Sequence, residues 1–173
     1  MRRSFIGLAM IAGAAVPALA EGDGKLELFR AFGLAEGRWA TVLTIEKVVL
    51  TPDPERADDP DAVAKAKAAQ TQVGRIIETT DCLGNALSAK GELILPGVAI
   101  GGNCTITDQA VTGDRFAFTV RCGEQSEFGL TFKGTKTGKT IQGTVDMHGA
   151  GAGMTMESTT RIEGKWVGTC TAG

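Results

Sequence analysis

The chain has 173 residues, with 18 Lys+Arg against 20 Asp+Glu, one His, four Cys, no Tyr and 24 Gly. A charge near zero, with no basic stretch after Arg3, argues against nucleic acid or an anionic membrane surface as partner, and a hydrophobic fraction of 43% is too high for a disordered chain. One imidazole and no phenol leave little acid–base equipment for an enzyme, and the length suits one domain.

Residues 1–20 have the form of a secretory signal peptide. Arg2 and Arg3 form a positive start, Phe5 to Val16 an apolar stretch, and Ala18-Leu19-Ala20 a small-residue cleavage site before Glu21. The apolar stretch is shorter than the ~18–20 residues that span a bilayer. Arg2-Arg3 loosely resembles a twin-arginine signal, but the general secretory route is the default. Cleavage after Ala20 takes 20 residues from the 173 and two positive charges from the balance, moving the formal charge from −2 to −4. No later segment is apolar enough to span a membrane as a helix, so the expected product is an exported, periplasmic or secreted protein without a transmembrane segment.

The remaining elements follow in order. Leu28, Phe29 and Phe32 are at helical spacing before Gly33, which predicts a short helix within an N-terminal segment 21–36. Residues 37–173 form the expected single β domain. Trp39 to Leu50 reads as the first strand, although neither of its faces is polar. Residues 52–69 are Pro-rich and acidic, a solvated loop that can hold a short Ala/Lys helix over Ala62–Ala69, with Asp59 near its N-cap and Pro60 at its first position. Gln70 to Cys82 reads as a second strand and Leu93–Leu95 as a short one. A hairpin spans 104–122, and strands follow at Phe128–Thr135, Thr140–His148 and Met154–Trp166, with turns at 136–139 and 149–153.

Antiparallel strands this close together have no room for crossovers. The expected fold is therefore all-β with minor α: an antiparallel meander rolled into a barrel or a strongly curved half-barrel, with a short N-terminal helix.

Cys82, Cys104, Cys122 and Cys170 include no C-x-x-C pair, which speaks against structural zinc and for two disulfides in an oxidising compartment. In the hairpin, Thr112-Gly113-Asp114 is a natural three-residue loop. Pairing about Gly113 sets Cys122 opposite Cys104, Val120 opposite Ile106 and Phe116 opposite Ala110. That arrangement favours Cys104–Cys122, leaving Cys82–Cys170; Cys82–Cys104 with Cys122–Cys170 is the alternative.

No catalytic constellation stands out. His148 has no G-x-S-x-G partner, and Ser88, Ser126 and Ser158 have no distinguishing context. Met147, His148, Met154 and Met156 flank one turn and form a weak copper(I) candidate, set against the ease with which Met fills cores. The acidic residues near Asp58 lack the glycine and closing glutamate of a calcium loop. No metal or other cofactor is expected.

The order of several landmarks, Gly37-Arg38-Trp39, Asp81-Cys82-Leu83, Asn103-Cys104 with Gly113 at the hairpin tip, Cys122, Gly134, Gly143-Thr144, Met154-Thr155-Met156 and Gly168-Thr169-Cys170, resembles the exported bacterial proteins of domain-of-unknown-function family 3617 over roughly residues 37–170. The resemblance implies export, four cysteines and β structure, and supplies no activity. The acidic, Ala/Lys-rich stretch 52–69 and the scarcity of Met depart from that pattern and weaken a metal reading.

The leading expectation is a non-catalytic binding or envelope-interaction protein. A small apolar ligand would be lined by Trp39, Phe116, Phe118, Val120, Phe128 and Phe132, although plain core packing explains these residues more readily, because small barrels usually fill themselves with side chains. The alternative is a protein-binding module such as an envelope protease inhibitor, using segment 21–36 or loop 52–69. A hydrolase centred on His148 is the remote third.

Overall fold

The computed structural model describes residues 32–83, 93–95, 97–99, 104–122 and 128–170. The expected signal peptide and nearly all of the expected N-terminal helix lie outside them. Nine strands, one α-helix and one 3-10 turn (Pro54–Arg56) are described: β1 (Gly37–Pro52), α1 (Pro60–Gln70), β2 (Ile76–Leu83), β3 (Leu93–Leu95), β4 (Val98–Ala99), β5 (Cys104–Thr112), β6 (Arg115–Cys122), β7 (Phe128–Lys136), β8 (Thr140–Gly151) and β9 (Met154–Gly168). Strands β5 to β9 form a consecutive meander. The first strand then joins the last, giving one antiparallel sheet in the order β2-β1-β9-β8-β7-β6-β5, beside a separate β3–β4 hairpin.

The sheet is open and curved, so the closed-barrel form of the expectation is corrected to the half-barrel form. Strands β1 and β9 do pair, from Arg38↔Gly168 to Pro52↔Met154. β2 returns along the other edge of β1 (Gly37↔Leu83 to Thr44↔Ile76), and the sheet stays open because β2 and β5, its two outer strands, do not pair with each other among the described residues.

The mixed faces of β1 have a local cause. The β1–β9 register shifts between Ile45 and Lys47, with Ile45 opposite Thr160 and Lys47 opposite Thr159. Glu46 is the extra residue of a β-bulge, which reverses the inward and outward alternation. Trp39, Thr41, Leu43 and Ile45 face inward before it, Val48 and Leu50 after it, and Glu46 and Lys47 both face solvent.

A second bulge corrects the hairpin. Its loop is the two-residue Gly113-Asp114, with Thr112 opposite Arg115. Cys104↔Cys122 and Ile106↔Val120 hold, but Phe116 pairs with Val111, not Ala110. The slip is absorbed at Asp108 and Gln109, which together oppose Phe118, and Asp108 takes a φ of 52°. Asp tolerates that conformation better than most residues; here its carboxylate accepts a hydrogen bond from Thr107 Oγ1 at 3.1 Å.

The turn expected over 149–153 contracts to Ala152-Gly153, both at positive φ, because β8 continues to Gly151 opposite Met154. Such a two-residue turn matches strand twist.

The stretch 53–70 is ordered. Asp59 caps α1 by accepting from Asp61 N and Ala62 N, and Pro60 occupies the first turn. Its inward stripe is Ala62, Ala66 and Ala69, small enough for close packing on β1. Arg56 donates to Asp59 Oδ2 at 3.0 Å and to Ala152 O at 2.7 Å, pinning the segment to the β8–β9 turn. The second strand starts only at Ile76, later than the expected Gln70, because α1 runs to Gln70 and a turn follows.

The inner face carries the core: Trp39, Leu83, Phe116, Phe118, Val120, Leu130, Phe132, Ile141, Val145 and Ile162, closed over by Phe32 and Leu34 from the segment preceding β1. The Phe32 ring lies 5.0 Å from Phe116 and 5.5 Å from Phe118, and Phe118 stacks on Phe132 at 4.4 Å. Among the described residues two buried side-chain oxygens, Thr41 Oγ1 and Thr144 Oγ1, have no hydrogen-bond partner. An orphaned buried hydroxyl keeps its desolvation cost, so Thr41→Val should raise the unfolding free energy by about 1 kcal/mol, read from urea denaturation.

Candidate functional site

The six residues nominated for an apolar ligand separate in the structure. Trp39, Phe116, Phe118, Val120 and Phe132 are buried against one another, with Phe32 filling the space a ligand would have used, and Phe128 is half-buried at their margin. Trp39 also has its indole N–H satisfied by Ala35 O at 2.9 Å.

Further along the same inner face the side chains become smaller and a cavity of about 210 Å³ opens, lined by Leu43, Gly97, Leu130, Val145, Met147, Ser158 and Thr160. Strand register accounts for this set. Leu130 faces Met147, Met147 faces Ser158, and Val145 faces Thr160, so neighbouring strands β7, β8 and β9 supply a patch with Leu43 of β1 beside it. Ser158 is the unusual member, since it is buried on the inner face while flanked by outward Glu157 and Thr159.

Gly97 joins the patch from the β3–β4 hairpin. Its N–H donates to Asp81 Oδ2 at 3.1 Å, and Asp81 also accepts from Thr79 Oγ1 at 2.9 Å. The approach is close: a Cβ at position 97, where φ is 75°, would meet the Thr41 methyl at 2.8 Å. Glycine supplies both the conformation and the clearance.

The copper candidates do not converge. Met147, Met154 and Met156 share the inner face, whereas His148 pairs with Glu157 on the outer face. The imidazole lies across Gly129, where a Cβ would collide with it. Ser158 is likewise on the opposite face from His148. Ser88 and Ser126 lie outside the described residues. Among the described residues no group of three His, Cys, Asp or Glu side chains is placed to hold a metal ion.

The outer face is a ladder of opposite charges. Lys47 pairs with Glu157 at 2.8 Å, Lys133 with Asp146 at 3.1 Å, and Arg161 with Glu46 and Glu163 at 3.1 and 3.0 Å. Burial disfavours the charge of Asp146, but hydrogen bonds from Thr159 and Lys133 and the Lys133 charge outweigh it, so its carboxyl stays below its ordinary value of 3.8. The Lys47 hydrogen bond and charge lower Glu157 in the same sense. A carboxyl depressed on folding adds stability above its unfolded pKa and loses it as pH falls through the folded one. Stability should therefore decline below about pH 4, and Asp146→Asn should flatten that decline in an acid titration followed by circular dichroism.

Disulfides join Cys104 to Cys122 and Cys82 to Cys170. No helix among the described residues is long and apolar enough to cross a membrane. Both features are compatible with an extracellular location.

Compared with known proteins, residues 34–170 match the family model described as Protein of unknown function (DUF3617). No curated protein and no solved structure matches the chain significantly.

Proposed function

The chain belongs to the DUF3617 family, whose model covers residues 34–170, and from that premise we propose that it is an exported, non-catalytic binding protein that takes a small apolar ligand on the inner face of its sheet. The cavity bounded by Leu43, Leu130, Val145 and Met147 carries this reading. Ligand sites are typically concave and mostly apolar, with few polar groups. At about 210 Å³ it exceeds the roughly 150 Å³ that holds benzene in an engineered apolar cavity, so its occupant is a ring or short chain rather than a lipid.

Export rests on the form of residues 1–20 and on the two disulfides. The absence of catalysis rests on the separation of His148 from Ser158 and from the cavity. Titration of isotope-labelled protein with toluene should shift the amide or methyl resonances of Leu43, Leu130, Val145 and Met147 together. Val145→Phe, which fills the space, should abolish the shifts while leaving the remaining spectrum folded. Shifts confined to residues outside the cavity, or none at all, would remove the proposal's basis.

A further inference from the structure

Two hydroxyls stand in the otherwise apolar cavity. Ser158 is 8% exposed and Thr160 half-buried; both line the space, and neither side chain hydrogen-bonds to another described residue. Their positions on β9, two residues apart on the inner face opposite Met147 and Val145, put both on one wall. Neither oxygen is among the fully buried atoms left without a partner, which are Thr41 Oγ1 and Thr144 Oγ1, so both hydroxyls are reached from the cavity and keep their bonding capacity for what enters it. A hydroxyl directed into a cavity is satisfied by whatever occupies that cavity.

No ionisable side chain lines the space. A ligand carboxylate would give up part of its hydration with no cation in the lining to meet it. A ligand ammonium would likewise find no carboxylate in the lining, since Asp81, which accepts from Thr79 Oγ1 and Gly97 N, does not line the cavity.

Building on the apolar-ligand reading above, we infer that the site selects an uncharged small amphiphile, with an alcohol, carbonyl or amide head held by Ser158 and Thr160 and an apolar body lying among Leu43, Leu130, Val145 and Met147. Ser158 and Thr160 are thus specificity-determining residues. A serine or threonine hydroxyl both donates and accepts, so either kind of neutral head is accommodated.

Four probes of one ring size separate the possibilities: toluene, benzyl alcohol, benzoate and benzylammonium, each titrated at pH 7 into the full chain and followed by nuclear magnetic resonance. Benzyl alcohol should bind at least as tightly as toluene, although burial of apolar area alone would rank toluene first. Benzoate and benzylammonium should bind at least tenfold more weakly than benzyl alcohol.

Ser158→Ala with Thr160→Val should weaken benzyl alcohol about fivefold and leave toluene unchanged, as expected for the loss of neutral hydrogen bonds. Ser158→Ala alone supplies the same comparison if the double variant does not fold. The inference is overturned if either ion binds as well as benzyl alcohol, or if the variants weaken toluene and benzyl alcohol equally. Binding of toluene alone overturns the head-group assignment and leaves the apolar site standing. Binding of none of the four overturns both.

Discussion

Phe118→Ala should lower the unfolding free energy by about 3–5 kcal/mol, the range for truncating a buried aromatic ring. Phe118 is 1% exposed, stacks on Phe132, and is crossed by Phe32 and Phe116 at centroid distances of 5.5 and 6.3 Å. Total stability for a domain of this kind is only about 5–15 kcal/mol, so the loss should be plain as a much earlier urea midpoint with the disulfides intact. Phe32→Ala should have a comparable cost, which would show that the segment ahead of β1 is part of the core. Phe128→Ala, at the half-buried margin, should cost distinctly less. Equal costs at positions 118 and 128 would contradict the layering of the core described above.

The second large effect concerns the long crosslink. Cys82 and Cys170 are 88 residues apart in sequence, and their Cα atoms lie 5.8 Å apart in the fold. On the chain-entropy account, closing a loop of this length restricts the unfolded state by about 4–5 kcal/mol, against about 3 kcal/mol for the 18-residue separation of Cys104 and Cys122. The Cys82→Ser, Cys170→Ser pair should therefore be the more destabilising of the two double replacements, measured as the shift in urea midpoint. A larger loss for Cys104→Ser with Cys122→Ser would mean that packing of the shorter bridge beside Val120 and Phe128 outweighs chain entropy.

Much of the fold was legible because a half-buried strand writes its alternation directly into the sequence. Arg115 to Cys122 places Phe116, Phe118, Val120 and Cys122 on one face, and all four belong to the core or pack against it. Asp59 and Pro60 likewise announced the start of α1. What escaped were single-residue backbone events. The bulges at Glu46 and Asp108 each insert one residue and reverse or slip the pairing beyond it, and their local sequences carry no strong signal. Whether the sheet closes was equally hidden, because it depends on whether β2 and β5, far apart in sequence order, come together as neighbours.

The candidate site was missed for a different reason. Large aromatic residues attract attention as ligand contacts, yet their size lets them fill the interior among themselves. A cavity forms where side chains are too small to meet. The readable clue was the pair Ser158 and Thr160, polar residues in phase with Met154, Met156 and Ile162 on the inner face. The Gly97 contribution was not readable at all, since it comes from a separate hairpin whose Gly97 N–H donates to Asp81.

The placement of the two crosslinks bears on how this protein behaves in a crowd. An open sheet ends in two rims, here β2 and β5, neither with a second neighbour among the described strands. Such rims are where foreign strands add and aggregation begins. One disulfide anchors Cys82 of β2 and the other Cys104 of β5, so each rim is fastened by its own covalent stitch. In a reducing medium both would be freed to peel together, and solubility would fail at the margins of the sheet before its centre had unfolded.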